Sequence, residues 1–300
     1  MMKRLLQSAV ILGLTVCALT VGWGANIALL IDEGNILAGD DPVHDPEAKQ
    51  FTIETLVENG DAGLVWLINH LEKDLGHTVN IYGSNTDDPA QVEKDNDLIF
   101  ISEELGSGSV AGDYRIAAKP VVFAEAYLLD DMGFTNNQSA FTGDSIATEI
   151  KIVNPNHPIT RGLPETFTAT IPDKTTGKPI IPTFSTVTDT AILVEGIGEI
   201  LAVLPSSIDV SNAGVPNSDD VPVVIAVEAG SELDQGDRNE ARWVFLGYSD
   251  DIEPTFPDFG GDPDIRTMAI LSEPAIRLLD NTIAWALGQE PQSVEDWSVR

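Results

Sequence analysis

The sequence predicts an α/β fold: a mainly parallel sheet covered by helices on both faces, with extra β segments in the second half. Three observations carry this. Short apolar runs rich in β-formers alternate with helix-patterned segments through the first half, and each run ends in polar or turn residues. The 300 residues, 43% of them hydrophobic, are enough for one large core. Strands separated by helices imply right-handed crossovers, so a ligand site is expected beyond the carboxyl ends of the strands.

Ile27 to Ile31 reads as the first strand, followed by Val79 to Tyr82, Leu98 to Ile101 and Val121 to Ala124. Between the first two, Asp61 caps a helix whose Leu64, Val65, Leu67, Ile68, Leu71 and Leu75 form one broad apolar face, and Gly76 closes it. Thr148 to Val153 and Thr166 to Ile171 are predicted strands around a Pro-rich turn, and Pro172 to Pro182 is a loop. Ala191 to Glu195, Ile200 to Leu204 and Val223 to Glu228 follow as strands, with Ser206 to Val221 an exposed excursion. Arg242 to Tyr248 is the last strand, and Ser249 to Ile265 is an acidic loop rich in Pro and Gly. Ser272 then caps a final helix with Glu273 in its first turn, Ile276, Leu279, Ile283 and Leu287 on one face, and Gly288 after it.

Lys3 and Arg4 precede an uncharged stretch from Leu5 to Ile31, with small residues at Gly22 and Gly24. This pattern predicts a secretory signal peptide over residues 1–24, a domain over 25–288 and a tail over 289–300, hence a secreted or periplasmic protein. An uncut signal segment would be its only route to a membrane. Ala25 to Asp32 reads instead as a buried first strand, which cannot also lie in lipid. The single cysteine, Cys17, follows Val16 and not the small residue of a lipid-attachment site, and it leaves with the leader. No thiol mechanism is then available to the mature chain.

With 48 Asp and Glu against 16 Lys and Arg, the net charge is -32, which disfavours nucleic acid and anionic membrane as partners.

Three segments carry a family resemblance: Asn156-His157-Pro158-Ile159-Thr160-Arg161-Gly162-Leu163-Pro164, Arg242-Trp243-Val244-Phe245-Leu246-Gly247-Tyr248 and Ile283-Ala284-Trp285-Ala286-Leu287-Gly288. Together they resemble the ThuA-like (trehalose-utilisation) branch of the class I glutamine amidotransferase-like superfamily, over about Ala25 to Gly288. The stretch Phe123-Ala124-Glu125-Ala126-Tyr127-Leu128-Leu129-Asp130-Asp131-Met132-Gly133 is similar to secreted bacterial members of unknown activity. The resemblance implies a flavodoxin-like, three-layer sandwich and a sugar-related role. It departs from the amidotransferases where their chemistry resides, since Glu125 stands at the elbow that holds their cysteine. Gly247-Tyr248 stands where ThuA-like proteins commonly have Gly-His. Glutaminase activity is therefore not expected.

Acids gather after the predicted strands: Asp32 and Glu33, Glu103 and Glu104, Glu125, then Asp250 and Asp251. Paired carboxylates with separated pKa values would suit acid/base chemistry on a glycoside, and several oxygens would suit Ca²⁺. A strongly acidic chain also places acids in every loop, and none of this spacing is a calcium-loop motif. Glu125 is the candidate catalytic residue, because an acid at a strained elbow should face a ligand or bond to backbone amides. Asp32, Glu103, Tyr127, Tyr248 and Asp250 are the candidate ligand-binding residues. No resident cofactor is expected, Ca²⁺ being the one cation these oxygens would suit.

His44 lies among loop acids, His70 in a helix, His77 after its closing glycine, and His157 in the family-like turn as a structural hydrogen-bonding residue; no two have metal-ligand spacing. Gly106 to Gly112 lacks the dinucleotide fingerprint, and Ser107 and Ser109 lack an adjacent base. Trp243, inside a strand, is expected in the core. The expectation is a non-glutaminase binding or assembly module with carbohydrate or an extracellular protein as partner. The alternatives are a hydrolase using paired carboxylates and a purely structural interaction protein.

Overall fold

The computed structural model describes residues 24–31, 62–83, 88–103, 105–110, 112–134, 142–172, 182–187, 197–205, 207–209, 215–216, 220–249 and 267–291. Residues 1–23 of the leader expected over 1–24, Asp32, Glu33, His44, Asp61, Glu104, the strand expected at 191–195, Asp250, Asp251 and the end of the tail lie outside these residues.

The first four strands fall where the apolar runs predict them: β1 (Asn26–Ile31), β2 (Thr78–Gly83), β3 (Leu98–Ile101) and β4 (Val121–Phe123). Among the described residues three helices connect them. These are α1 (Ala62–Asn69), which continues into a π-helical turn over His70–Asp74, then α2 (Pro89–Asp95) and the short α3 (Ser107–Val110). Asp88 caps α2 by accepting from the Ala90 amide at 3.1 Å, with Pro89 in the first turn, where its missing N–H costs nothing. Gly76 ends the first helical unit at φ +75°, a conformation that favours glycine.

The later strands are β5 (Thr142–Ile146), β6 (Glu149–Ile152), β7 (Thr166–Thr168), β8 (Thr183–Val187), β9 (Glu199–Leu204), β10 (Ile208–Asp209), β11 (Val215–Pro216), β12 (Val221–Val227) and β13 (Trp243–Leu246). Among the described residues nine strands form one sheet in the order β2-β1-β3-β4-β13-β12-β9-β6-β7. The run β2-β1-β3-β4-β13 is parallel throughout and has the flavodoxin-like doubly wound order, with β13 in fifth place. From β13 to β7 every pairing is antiparallel.

The sheet is thus mixed, which corrects the expectation of a mainly parallel one. Parallel neighbours need a long crossover, usually a helix, and no α-helix is described between residues 129 and 266. A second sheet, β11-β10-β5-β8, is antiparallel. Two of its strands lie within Ser206 to Val221, so that stretch is more than an exposed excursion.

Alternation along the central strands divides the core between the two faces. Ile27, Leu29, Ile31, Leu98, Phe100, Val122, Val244 and Leu246 pack on one side with α1 and with α4 (Glu273–Ala286). Ala28, Leu30, Ile99, Ile101, Val121, Phe123, Trp243 and Phe245 face the other side with Val92 of α2 and the 105–134 segment. Trp243 is fully buried, as the sequence predicts. Ser272 caps α4, and Glu273 stands in its first turn. Arg115 fastens the loop after β12, donating to Asp234 and to both carboxylate oxygens of Asp237 at 2.9 and 3.0 Å. No helix among the described residues is long and apolar enough to cross a membrane.

Candidate functional site

Ile101 pairs with Phe123 in the parallel register, so Glu103 and Glu125 stand two residues past the ends of neighbouring strands. The strand order reverses between β1 and β3, and crevices beyond such reversals hold ligands in open α/β sheets. Glu103, half-buried, accepts a hydrogen bond from the Ser249 hydroxyl at 2.9 Å, and Ser249 is itself completely buried after β13.

Glu125 is 6% exposed and starts a 3₁₀ turn over Ala126–Leu128. Its φ of -74° and ψ of 113° are ordinary extended values, which corrects the expectation of a strained elbow. Its Oε1 accepts from the Tyr127 amide at 2.5 Å, and the preceding amide, of Ala126, donates to the Ser185 hydroxyl at 3.0 Å. Both amides at the start of the turn are therefore held from within. The Tyr127 side chain is 51% exposed beside them.

Ser185 reaches this point because β8 crosses close to the end of β13. The Ser185 amide donates to the Gly247 carbonyl at 3.1 Å, and Phe184 bridges to Tyr248. Only glycine permits the approach, since a Cβ on residue 247 would lie 2.0 Å from the Ser185 carbonyl oxygen. Tyr248 is fully buried against Phe184, with its hydroxyl donating to the Ala275 carbonyl at 3.1 Å. Burial, and then the charge of Asp280, push its phenol far above the usual range, so the hydroxyl stays protonated. Tyr248 is thus a core residue that anchors α4, not the crevice residue predicted from its place after the strand.

Of the six candidate site residues, Glu103, Glu125 and Tyr127 share the strand-end region, Tyr248 lies in the core, and Asp32 and Asp250 lie outside the described residues. Among the described residues, no group of three His, Cys, Asp or Glu is placed to hold a metal ion.

The family-like turn does structural work away from these strand ends. The His157 Nδ1 accepts from the Ile159 amide at 3.2 Å, and Thr160 donates to the Asn154 carbonyl. The same corner receives α4, since Asn281 donates to the Ile159 carbonyl at 3.0 Å and Arg277 to that of Gly162 at 3.2 Å. Burial, the largest effect, holds the His157 pKa below its ordinary value and keeps Nδ1 an acceptor. His77 behaves likewise, its Nδ1 accepting from the Ala25 amide at 3.0 Å.

Two groups escape the sequence reading. Ser185 lies in a short strand, Thr183–Val187, in which Phe184 and Val187 are the only apolar residues. His70 looks like any helical histidine until the fold brings Asp280, 210 positions away in the chain, to 2.7 Å.

Chemically, the strand ends offer two carboxylates committed to neighbouring donors and one exposed aromatic ring. That set can accept hydrogen bonds and stack on a ring, and the Ser249 hydroxyl held by Glu103 is itself fully buried.

No family model and no curated protein matches the chain. Among solved structures, a ThuA-like protein from Bacteroides uniformis is similar at a TM-score of 0.42 and 12% identity, over 89% of this chain and 94% of that one. A second ThuA-like protein, from Parabacteroides merdae, is similar at a TM-score of 0.45 and 12% identity, over 90% and 93% of the two chains.

Proposed function

We propose that this chain is an exported ThuA-like domain that binds carbohydrate without cleaving it, with Tyr127, Glu103 and Glu125 at the recognition face. The observation that carries the reading is the closed start of the turn after β4. An acyl-transfer elbow aims its amides at the substrate oxygen. Here the Ala126 and Tyr127 amides are bonded to Ser185 and Glu125 instead. The half-exposed Tyr127 ring offers a flat apolar face with a polar tip, the chemistry that meets a sugar ring, and neighbouring carboxylates are acceptors for sugar hydroxyls. The family assignment rests on the three motifs quoted from the sequence.

A second reading, a hydrolase with Glu125 as acid or base and Glu103 as partner, is favoured by their equivalent places past adjacent strands. A thermal-shift screen of the protein against mono- and oligosaccharides, with and without Ca²⁺, separates the readings. Binding predicts a saturable rise in midpoint that Tyr127→Ala removes, because a ligand selective for the folded state stabilises it. Released reducing sugar that Glu125→Gln abolishes would establish the hydrolase instead. No saccharide-dependent shift would replace both with the interaction-protein reading.

A further inference from the structure

His70 opens the π-helical turn that extends α1, a turn closed by the Leu75 amide bonding to the His70 carbonyl at 3.1 Å. Its imidazole is 6% exposed and stacks on Trp66 at 4.8 Å and 10°. Nε2 lies 2.7 Å from Asp280 Oδ1 on α4, and Nδ1 lies 2.9 Å from Asp74 Oδ2 on its own turn. A neutral imidazole has one N–H and one lone pair, so it can donate to one of these carboxylates but must turn a lone pair towards the other. Only the imidazolium donates to both.

We propose that His70 is a proton-operated latch between α1 and α4: as the imidazolium it joins Asp280 to Asp74, and on losing its proton it releases one of them and loosens the C-terminal helix.

The surroundings favour such a device. Asp280 is as buried as His70, whereas Asp74 is 62% exposed, giving the ring one fixed and one solvent-facing partner. On the histidine's own turn, Glu72 accepts from the Val79 amide at 3.4 Å, and Lys73 stands in the last turn. On α4, Arg277 donates to the Gly162 carbonyl. The 267–270 turn, also packed on α1, carries no titratable residue. Two further groups feel this cluster. His77 is lowered chiefly by burial, and Tyr248 is raised by burial and by Asp280, so neither takes up the proton that His70 gives up.

Burial alone would push His70 down, but the hydrogen bonds and charges of Asp280 and Asp74 outweigh it and hold the imidazole above its ordinary pKa. A folded-state pKa above the unfolded value means the latch stabilises fully below about pH 6.5 and loses its contribution as pH rises through the folded value.

Three measurements on the full chain test this: imidazole NMR titration, and urea unfolding and hydrogen exchange of the α4 amides from pH 6 to 9. His70 should titrate above the ordinary histidine value. The unfolding constant should rise up to about tenfold for each unit by which the folded pKa exceeds the unfolded one, and that rise should be absent in His70→Gln. After correction for intrinsic rates, α4 protection should fall over the same interval. Asp74→Asn removes the charge of the exposed partner while keeping an oxygen beside Nδ1, so it keeps the test informative if His70→Gln fails to fold; it should lower the His70 midpoint and shrink the pH dependence. A His70 midpoint at or below the ordinary value, or a variant that retains the native pH slope, would overturn the latch.

Discussion

Replacing Gly247 with alanine puts one methyl group where the second sheet meets the first. The new Cβ would stand 2.0 Å from the Ser185 carbonyl oxygen and 3.0 Å from the Phe245 ring. An ordinary C···O separation is about 3.3 Å, so β8 would have to retreat by roughly 1.3 Å. At that displacement both the Ser185–Gly247 backbone bond, now 3.1 Å, and the Ser185–Ala126 bond, now 3.0 Å, pass out of hydrogen-bonding range. Two hydrogen bonds worth ~1 kcal/mol each, with overpacking strain of about 1–3 kcal/mol, place the loss near 3–5 kcal/mol. Urea unfolding of Gly247→Ala against the native chain measures this as a lower midpoint at similar slope. Gly108→Ala is the control, because a Cβ there meets nothing within 4 Å, and its change should stay within about 0.5 kcal/mol. A loss below ~1 kcal/mol for Gly247→Ala would refute the argument that β8 is pinned against this glycine.

Three further outcomes follow from the same contacts. Tyr248→Phe removes the bond to the Ala275 carbonyl and should cost about 1 kcal/mol in thermal or urea unfolding while leaving saccharide binding unchanged. Tyr127→Ala, at an exposed side chain, should leave the unfolding midpoint unchanged and abolish any saccharide-induced shift. Arg115→Gln should lower the thermal midpoint at pH 7, by an amount that shrinks as the pH is taken below the ordinary Asp value. The Arg115 hydrogen bond holds the Asp237 carboxyl below its ordinary pKa, so that stabilisation is present above about pH 3.9 and fades as pH falls through the depressed value.

The central strands were legible because both their faces are buried, which writes them as unbroken runs such as Leu98–Ile101 and Val121–Phe123. The final helix was legible from Ser272 and Gly288, which mark its two ends. The second sheet was not, because many of its buried side chains are polar. Ser145, Ser185 and Thr186 are buried with hydroxyl bonds such as Thr186 to Ser145 at 2.9 Å, so beside Phe184 and Ile146 burial there leaves only a broken hydrophobic pattern. The site divided in the same way. Register alone places Glu103 and Glu125 together, whereas Tyr248 was misplaced because nothing local indicates that β8 and α4 cover it. The reversal from parallel to antiparallel at β13 is equally non-local, since it depends on which strands flank the late insertion.

That insertion governs the order in which the molecule can be finished. β13 lies between β4 and β12 and bonds to both, yet it enters the chain about 120 residues after β4. Until it emerges from the ribosome, the five-strand parallel run lacks its fifth member, β4 keeps an open apolar edge, and the antiparallel half has no link through the sheet to the first. Such distant pairing slows folding and leaves the growing chain dependent on protection of that edge. A chain halted before Trp243 would lack the strand through which the two halves of the sheet are joined.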